Sequence, residues 1–244
     1  MSKSVIIDCF PDSAERYLDG YAVVAIDVIR ATTTAITAVS LGRRVLPAKT
    51  SDEAFVFAEK LDHPLLVGEM GGNVPYGFDF TNSPVLISAL STQPLGFLSD
   101  KDRPLVLLSS SGTRLVANAA NAQAVYLACA RNFTATAKFI AERHTRIAVI
   151  GAGTRGQFRR EDQMICAWVT EILMTCGFSA ENQQTESYVA RWKGANTKEI
   201  GTGRSAEYLR RSGQLYDLEF IMHLIDDLNI VPQLVDGELQ AHVL

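Results

Sequence analysis

Short apolar segments alternate with amphipathic ones along most of the chain, and this alternation constrains the fold more than any other feature of the sequence. Residues 22–29 (AVVAIDVI) are rich in β-branched side chains and too few for a buried helix, which is typical of a buried strand. The same reasoning predicts further strands at residues 44–48, 65–67, 105–108, 124–127 and 146–150. Helices are predicted between and after them at residues 32–41, 52–61, 113–120, 134–142 and 161–176.

The order of these segments predicts the fold class. Strand–helix–strand alternation favours a three-layer α/β/α fold with a largely parallel or mixed sheet. The 244 residues suffice for one large domain, and we expect a single α/β unit over residues 1–244. Two segments, AIDVIRATTTAI and YLACARNFTATA, both run from a strand through Arg into a helix start. This similarity leaves open two topologically related halves, about 1–120 and 121–244 with the site between them, or a chance resemblance.

Two parts of the chain lack a clear period. Residues 68–84 contain several glycines and two prolines, and a loop of this length in a compact domain is usually functional. Toward the end of the chain we expect a polar loop or an exposed hinge at residues 181–187, helices at 205–211 and 215–228, and a final turn at 235–238.

Composition excludes several classes of protein. Lys and Arg total 23 against 27 Asp and Glu, so no basic face for nucleic acid is expected. The longest apolar runs, such as residues 21–29, fall far short of the roughly 20 that span a bilayer. The first ten residues lack the pattern of a signal peptide, so we expect a cytoplasmic protein with no membrane partner. The four cysteines form no Cys-x-x-Cys pair, which argues against zinc and redox motifs.

Polar residues follow the predicted strands, where ligands bind in parallel sheets. Arg30 precedes Thr32, Thr33 and Thr34 at the start of a predicted helix, so a guanidinium, hydroxyls and free amides converge as an oxyanion ester requires. A threonine helix cap beside an incidental arginine remains the alternative.

A second small-residue segment occupies the equivalent place after a later strand. Ser109, Ser110, Ser111, Gly112 and Thr113 would let backbone amides approach an anion closely, although a flexible turn is the alternative. The segment lacks the Gly-Lys-Ser/Thr ending of a nucleotide P-loop, which argues against nucleoside triphosphate binding.

Four acidic residues follow strands or begin a helix. Asp27 ends a buried strand and must be ligated or hydrogen-bonded, because an unpaired buried charge is costly. With Glu69, Glu161 and Asp162 it offers the hard oxygen ligands that suit Mg²⁺. Compensation of the helix dipole is the alternative for Glu161 and Asp162.

Residues 151–156 (GAGTRG) match the G-x-G-x-x-G pattern of dinucleotide-binding proteins. The match has two faults, since the next helix is predicted only near Glu161 and no strand ending in an acidic residue follows at the expected distance. A nicotinamide-dependent oxidoreductase is therefore a weaker alternative.

Several segments together resemble the magnesium-dependent 2-phosphosulfolactate phosphatase family. They are IDVIRATTTAITA (26–38), GE (68–69), GFDFTNSP (77–84), SSSGT (109–113), Arg131-Asn132 and AGTRGQFRRED (152–162). A terminal pattern of Ser205, Leu209, Gly213 and Asp217, followed by Val231-Pro232, is also similar. The resemblance covers nearly the whole chain.

The resemblance implies hydrolysis of a phosphomonoester on a small sulfonated hydroxy acid, yielding sulfolactate and phosphate on the route to coenzyme M. It also implies Mg²⁺ and an α/β/α fold unlike those of the common phosphatases. On this basis we expect metal-assisted in-line attack by water, with catalytic roles for Asp27, Arg30, Glu69 and Asp162. The expected metal ligands are Asp27, Glu69, Glu161 and Asp162. The expected substrate-binding residues are Thr32, Thr33, Thr34, Asn82, Ser83, Ser109, Ser111, Gly112, Thr113, Arg131, Asn132 and Gly153. Among these, Arg131 and Asn132 would hold the carboxylate or sulfonate.

Two positions depart from the family pattern. Met70 stands where Arg is usual and Ser111 where Asn is usual. A lost cation would weaken binding of a doubly anionic substrate, so a non-catalytic protein that binds a small anion is the main alternative. The apolar faces of the terminal helices leave a homodimer open.

Overall fold

The structure is a computed structural model that describes residues 2–92 and 102–244. Its strands are β1 (Ser4–Cys9), β2 (Ala22–Ile26), β3 (Val45–Ala48), β4 (Leu65–Gly68), β5 (Leu105–Leu108), β6 (Ala124–Ala128), β7 (Arg146–Gly151), β8 (Ser179–Ala180), β9 (Ile230–Val235) and β10 (Glu238–Val243). Its α-helices are α1 (Ala31–Ser40), α2 (Ser51–Ala58), α3 (Pro84–Thr92), α4 (Gly112–Asn118), α5 (Phe133–Ala141), α6 (Arg160–Thr175), α7 (Gln183–Trp192), α8 (Arg204–Arg211) and α9 (Leu215–His223). Within the described residues, 3₁₀ helices span Pro11–Tyr17 and Thr197–Thr202.

The larger sheet has seven strands in the order β10-β9-β6-β2-β7-β1-β8. Five neighbouring strands run parallel, namely β6, β2, β7, β1 and β8. Strand β9 is antiparallel to β6 and forms an antiparallel hairpin with β10. Strand β2 is buried along its whole length, and its residues alternate between two cores. Ala22, Val24 and Ile26 pack with α5 and α6, whereas Val23 and Ala25 pack with α1 and α4. The predicted three-layer α/β/α fold is confirmed.

Strands β3, β5 and β4 form a second, separate parallel sheet of three strands. They are the strands predicted at 44–48, 105–108 and 65–67, which the sequence could not assign to a sheet of their own. Ala48, Val106 and Leu66 on one face pack with Ala54 of α2, and alternate residues on the other face join the core beneath α1. Both faces are thus covered, as a parallel sheet requires.

Strand β2 lies between β6 and β7, which pair with it in register at Ala124 and Ile147. Strands from both parts of the chain therefore share one sheet. No helix in the described ranges is long and apolar enough to cross a bilayer.

Several element boundaries differ from the predictions. Strand β2 ends at Ile26 and not at 29, because the Asp27 carbonyl accepts a hydrogen bond from the Thr32 amide and the chain turns there. The loop predicted at 181–187 is wrong, since α7 begins at Gln183. Asn182 caps it by accepting a hydrogen bond from the Thr185 amide at 2.8 Å.

The end of the chain differs as well. The helix predicted at 215–228 ends at His223, and the final turn is the centre of the β9–β10 hairpin. Asp236 and Gly237 both have positive φ there, of 50° and 82°, which suits a two-residue hairpin turn. Strand β1 was not predicted.

Candidate active site

An open cleft with a volume of about 660 Å³ lies at the carboxyl ends of strands from both sheets. Its wall includes residues that follow β1, β2 and β7 in the larger sheet and β4 and β5 in the smaller one. Helix α8 adds a further wall through Ser205, Tyr208 and Leu209. Because parallel strands deliver their following residues to one edge, the two sheets together bring distant parts of the chain into one cavity.

Asp27 follows β2 and lines the cleft, although only 9% of its surface is exposed. Burial raises the pKa of its carboxyl to about 7, and the negative charge of Glu69 acts in the same direction. The Ala31 amide and the Arg30 guanidinium oppose this shift of the Asp27 pKa. A carboxyl with these surroundings is poised to bind a cation or exchange a proton near neutral pH.

The start of α4 approaches Asp27 closely because residue 112 is glycine. A β-carbon on Gly112 would lie 2.6 Å from the Ala31 Cβ and closer still to the Asp27 carboxylate. Gly112 therefore acts through the space that it leaves open. This is a steric contribution and distinct from the anion contact expected from the sequence.

Glu69 follows β4 and lines the same cleft. Its Oε1 accepts a hydrogen bond from the Ser110 amide at 2.8 Å, and its Oε2 accepts one from the Gly72 amide at 2.9 Å. These bonds fix the carboxylate between the turns after β4 and β5. Its negative charge raises the pKa of Asp27, because the two carboxylates repel each other.

Asp162, in the first turn of α6, lies behind Asp27 rather than on the cleft wall. Its Oδ1 accepts a hydrogen bond from the Val28 amide at 2.8 Å, which ties α6 to the end of β2. Burial raises the pKa of Asp162 well above its usual range, and the charges of Asp27 and Glu161 add to the shift.

Glu161 is also buried, at 1% exposure, and lies outside the cleft wall. Burial raises the pKa of its carboxyl, and a hydrogen bond from Ser205 opposes that rise. Its Oε2 has no hydrogen-bond partner among the described residues. The acids expected from the sequence thus form two layers, with Asp27 and Glu69 in contact with the cleft.

Arg30 lines the cleft and forms a buried ion pair with Asp217 of α9. Asp217 also accepts a hydrogen bond from the Ser83 hydroxyl at 2.6 Å. Ser83 therefore helps position Arg30 and does not line the cleft. Asn82 does line it, and its Oδ1 is buried without a hydrogen-bond partner in the described part of the chain.

Sequence reasoning did not assign a site role to Asp217. The signal was present, because Asp217 belongs to the terminal pattern that resembles the family. What the pattern did not reveal was its partner, which lies 187 residues away in the chain.

The threonines after Arg30 do not line the cleft. The Thr32 hydroxyl donates to the Asp27 carbonyl at 2.8 Å, and the Thr33 hydroxyl donates to the Val28 carbonyl at 2.8 Å. The Thr34 hydroxyl is buried and has no partner among the described residues. These side chains hold the turn that presents Asp27 and Arg30. They do not cap the helix, since α1 begins after Arg30 without a side-chain cap, so the capping alternative is wrong as well.

The loop after β5 divides its residues between two tasks. Ser109 and Thr113 hydrogen-bond to each other, with the Thr113 amide donating to the Ser109 hydroxyl at 3.0 Å and the Ser109 amide donating to the Thr113 hydroxyl at 2.8 Å. Neither lines the cleft, whereas Ser110 and Ser111 do. The reciprocal bonds shape the loop so that the two intervening serines face the cavity.

The structure does not bring Arg131 and Asn132 to the cleft. Arg131 forms a two-pronged ion pair with Asp227 at 2.6 and 3.0 Å. The side-chain oxygen of Asn132 accepts a hydrogen bond from the Cys129 backbone amide, and its side-chain nitrogen donates to the carbonyls of Leu127 and Ile230. The segment before β9 covers the end of β6, and Arg131 and Asn132 stabilise the fold there. The predicted binding of the substrate carboxylate or sulfonate by these two residues is therefore not supported by their position.

The glycine-rich segment 151–156 is a tight turn. Thr154 and Gln157 hydrogen-bond to each other through both backbone groups, and Arg155 and Gly156 between them have φ of 51° and 70°. Helix α6 begins only at Arg160, so the direct passage from glycines to helix that binds a pyrophosphate is missing. Gly153 lines the cleft, and its amide lies 3.4 Å from the Asp162 carboxylate.

The cleft also contains basic side chains that sequence reasoning did not select. They are Arg114, Arg155, Arg159 and Arg204. Arg114 pairs with Asp12 at 2.5 Å. Tyr208 reaches across from α8 and donates a hydrogen bond to the Gly72 carbonyl at 2.7 Å, which ties α8 to the turn after β4.

The oxygen donors of the cleft suit Mg²⁺, although they do not form a complete set of metal ligands by themselves. In the parts of the chain that the structure describes, no three His, Cys, Asp or Glu side chains are grouped closely enough to hold a metal by themselves. Mg²⁺ commonly binds through one or two carboxylates, with waters and substrate phosphate oxygens completing its shell. Asp27 and Glu69 provide two carboxylates at one cleft, with oxygen ligands of the required kind.

Comparison with known proteins gives a consistent result. The sequence pattern of a family described as 2-phosphosulpholactate phosphatase matches residues 10–237. The chain is 31% identical over 238 residues to a probable 2-phosphosulfolactate phosphatase of Deinococcus radiodurans, covering 95% of this chain and 93% of that protein. A protein of Symbiobacterium thermophilum with the same description is 30% identical, covering 91% and 94%. One from Caldanaerobacter subterraneus is 28% identical, covering 91% of each chain.

Proposed function

The chain belongs to the 2-phosphosulfolactate phosphatase family, and we propose that its cleft hydrolyses the phosphomonoester of 2-phosphosulfolactate to sulfolactate and phosphate. The protein is a phosphoric monoester hydrolase of this family. The observation that supports this site most strongly is the pair of carboxylates, Asp27 and Glu69, beside the Arg30 guanidinium in one cavity.

We propose that Mg²⁺ is the cofactor and that Asp27 and Glu69 would hold it. When bound, the ion would polarise a phosphoryl oxygen and neutralise charge that develops during transfer. Asp162 and Glu161 add negative charge behind Asp27, which is unfavourable without a cation and supports cation binding at this place. Burial is the largest cause of the raised pKa of Asp27, Glu161 and Asp162, and a bound cation would lower these pKa values by favouring the charged forms.

The chain's own residues would bind and orient the substrate. Arg30 is held by Asp217 beside Asp27, so its remaining donors can contact phosphoryl oxygens at the reacting end. Ser110, Ser111 and Asn82 supply further polar groups on the cleft wall. Fixed donors of this kind stabilise an anionic transition state without reorganisation at the moment of reaction.

Replacing Asp27 tests the proposal directly. We expect Asp27→Asn to lower Mg²⁺-dependent release of phosphate from 2-phosphosulfolactate by roughly 10²- to 10⁴-fold. Circular dichroism and thermal unfolding would show that the variant remains folded. The matched control is Asp19→Asn, which removes the same charge from an exposed position. Turnover of Asp27→Asn close to that of the wild type would refute the assignment.

A non-catalytic protein that binds small anions is the second candidate. It is favoured by Ser111, which lines the cleft where the family usually has Asn. Met70, the other departure, is 46% exposed and lies outside the cleft wall, so it carries less weight. Phosphate release from several phosphorylated hydroxy acids, with Mg²⁺ and with chelator, separates the candidates, since binding without release would favour the second.

We also propose a cytoplasmic reaction on the route to coenzyme M, as the resemblance implies. The four cysteines are free thiols, which agrees with a reducing compartment. A homodimer is supported by exposed apolar side chains on α9, Leu215 and Tyr216. Light scattering of the purified protein would measure its mass in solution and decide between monomer and dimer.

A further inference from the structure

Two arginine side chains meet at one uncharged group on the cleft wall. Arg159 Nη1 donates to Gln157 Oε1 at 3.2 Å, and Arg204 Nη1 donates to the same oxygen at 2.9 Å. All three residues line the cleft. Neither arginine forms an ion pair with a carboxylate within residues 2–92 and 102–244. The charge of Arg159 also acts on the buried Glu161 carboxyl and lowers its pKa. Two positive charges that share one neutral acceptor repel each other, so the arrangement favours an anion between them.

A second observation points the same way. The Nε atom of Arg159 is buried from solvent and has no hydrogen-bond partner among the described residues. A buried donor that is left unpaired costs roughly 1–3 kcal/mol, and more when it is charged. An oxyanion at this wall would remove that cost, because guanidinium groups donate to such oxygens in pairs.

The position of Gln157 is fixed before any ligand binds. The two-residue turn at 155–156 joins Thr154 to Gln157 through two backbone hydrogen bonds of 3.0 and 3.1 Å. Gly153 allows the close packing of this turn, since a β-carbon there would lie 2.9 Å from the Gln157 carbonyl oxygen. The main chain of Gln157 is thus fixed by the turn, and its side-chain oxygen accepts from both guanidinium groups.

A different arginine acts at the reacting end of the cleft. Arg30 is the cation that acts on the Asp27 carboxyl, and it is already paired with Asp217. Arg131, for which the sequence predicted contact with the non-reacting acid of the substrate, is neutralised by Asp227 outside the cleft. The cleft therefore needs another group for that acid, and its unpaired arginines supply one.

We propose that Arg159 and Arg204, spaced by Gln157, form a subsite that binds a second anionic group of the substrate, a sulfonate or a carboxylate. The inference rests on the proposed phosphatase function and specifies how the non-reacting end of the substrate is recognised. It assigns substrate specificity to these arginines and leaves the reacting phosphoryl group to Arg30, Asp27 and Glu69.

Two variants test the subsite without disturbing the core. Arg204→Gln removes one exposed guanidinium. Gln157→Glu places a carboxylate between the two arginines, so that an internal ion pair would compete with the substrate. Arg160→Gln is the matched control, because Arg160 is the next residue to Arg159, pairs with Glu199 at 2.6 Å, and does not line the cleft.

Four substrates identify the anion that is bound. They share one secondary phosphomonoester and differ in their acids: 2-phosphosulfolactate, 2-phospholactate without the sulfonate, 2-phosphopropane-1-sulfonate without the carboxylate, and isopropyl phosphate with neither. We expect both variants to lower kcat/KM by roughly 10- to 100-fold for substrates with the recognised acid, mainly through KM. Isopropyl phosphate and the Arg160→Gln control should be unaffected. A loss confined to sulfonate-containing or to carboxylate-containing substrates names the group.

Equal losses for isopropyl phosphate, or no loss for any substrate, would overturn the subsite while leaving wild-type hydrolysis, and so the proposed function, intact. Calorimetric titration with sulfolactate decides the matter if the wild type releases no phosphate. Binding by the wild type and Arg160→Gln, weakened by roughly 10-fold or more in Arg204→Gln and Gln157→Glu, would support the subsite alone. Absence of sulfolactate binding to the wild type, or equal affinity in all four proteins, would refute it.

Discussion

At the scale of single residues, the site depends on the missing side chain of Gly112 as much as on the carboxylate of Asp27. Asp27 keeps its carboxylate beside Ala31 and Glu69 because residue 112 has no side chain. The sequence identified both Asp27 and Gly112, but it assigned Gly112 to anion binding. Close packing at a strand end can be recognised only from coordinates, since glycine occurs in turns and in anion loops alike.

We expect Gly112→Ala to disturb this packing. The added β-carbon would force Asp27 or the start of α4 to move, at a cost of about 1–3 kcal/mol in the free energy of unfolding, and phosphatase activity should fall with the displaced carboxylate. Gly213→Ala is the comparison, because Gly213 has φ of 74° and open space around it. It should lose about 1 kcal/mol through backbone strain and keep full activity. Denaturant unfolding and phosphate release measure both effects, and undiminished activity of Gly112→Ala would contradict the packing argument.

His144 provides a prediction about pH at a site remote from the cleft. Burial lowers the pKa of its imidazole below the usual 6.5, and the charge of Arg143 lowers it further. The folded state therefore disfavours the charged form, so the contribution of His144 to stability is complete above pH 6.5 and is lost as the pH falls through the folded-state pKa. His144→Gln retains a group that can bond the Tyr126 hydroxyl, which lies 3.0 Å from Nε2.

As the pH falls from 7 to 5, we expect the free energy of unfolding of the wild type to decrease more than that of His144→Gln. Denaturant titrations at several pH values would measure the difference. His63→Gln, at an exposed position, is the control and should follow the wild type. A constant difference between His144→Gln and the wild type over this range would show that His144 does not titrate differently in the folded state.

At the scale of elements, periodicity sufficed for strands β2 to β7 and most of their helices, whereas β1 and β8, which are also parallel, were not predicted. Strand β5 has the predicted bounds, and α5 and α6 begin one residue before theirs. The pattern failed where local sequence does not determine the partner of a strand. The division into two sheets depends on pairings between residues far apart, such as Val45 with Leu105, and no local signal encodes these.

The candidate site shows the same limit. The acids and Arg30 could be selected because charged groups after buried strands are costly unless they are paired, hydrogen-bonded or ligated. Arg131 occupies an equivalent place after β6, yet the segment before β9 covers it and supplies Asp227. The sequence therefore found two arginines at helix starts but could not tell which strand end stays open. That depends on where the last third of the chain packs.

Helix α9 illustrates how a distant element controls the cleft. Its Asp217 is buried, pairs with Arg30 and accepts a hydrogen bond from Ser83. We expect Asp217→Asn to lower the free energy of unfolding by about 3–5 kcal/mol, because it leaves the buried Arg30 charge unpaired. Glu219→Gln on an exposed face of the same helix should change it little. Denaturant unfolding of both variants measures this, and equal stabilities would show that Arg30 finds another partner.

At the scale of the whole molecule, the two sheets have one function in common, which is to direct the residues after their strands into a single cleft. β2 and β7 bring Asp27 and the 154–157 turn, while β4 and β5 bring Glu69 and the serine loop. Helices α8 and α9 connect the two sides through Tyr208 and Asp217. Substrate recognition and cation binding should therefore depend on the folded molecule as a unit.

This unity makes the stability of the whole chain a readout of the proposed cation site. Ligands that bind only the folded state stabilise it by mass action, by about 2.7 kcal/mol at a concentration 100 times Kd. We expect Mg²⁺ to raise the unfolding temperature of the wild type and of Asp19→Asn, and chelator to reverse the rise. Asp27→Asn and Glu69→Gln should each lose most of it, since each removes one of the two carboxylates on the cleft wall. Calorimetric scans would measure the shifts without any substrate, so the result is independent of catalysis. An equal Mg²⁺-induced rise in all four proteins would place the cation elsewhere in the molecule.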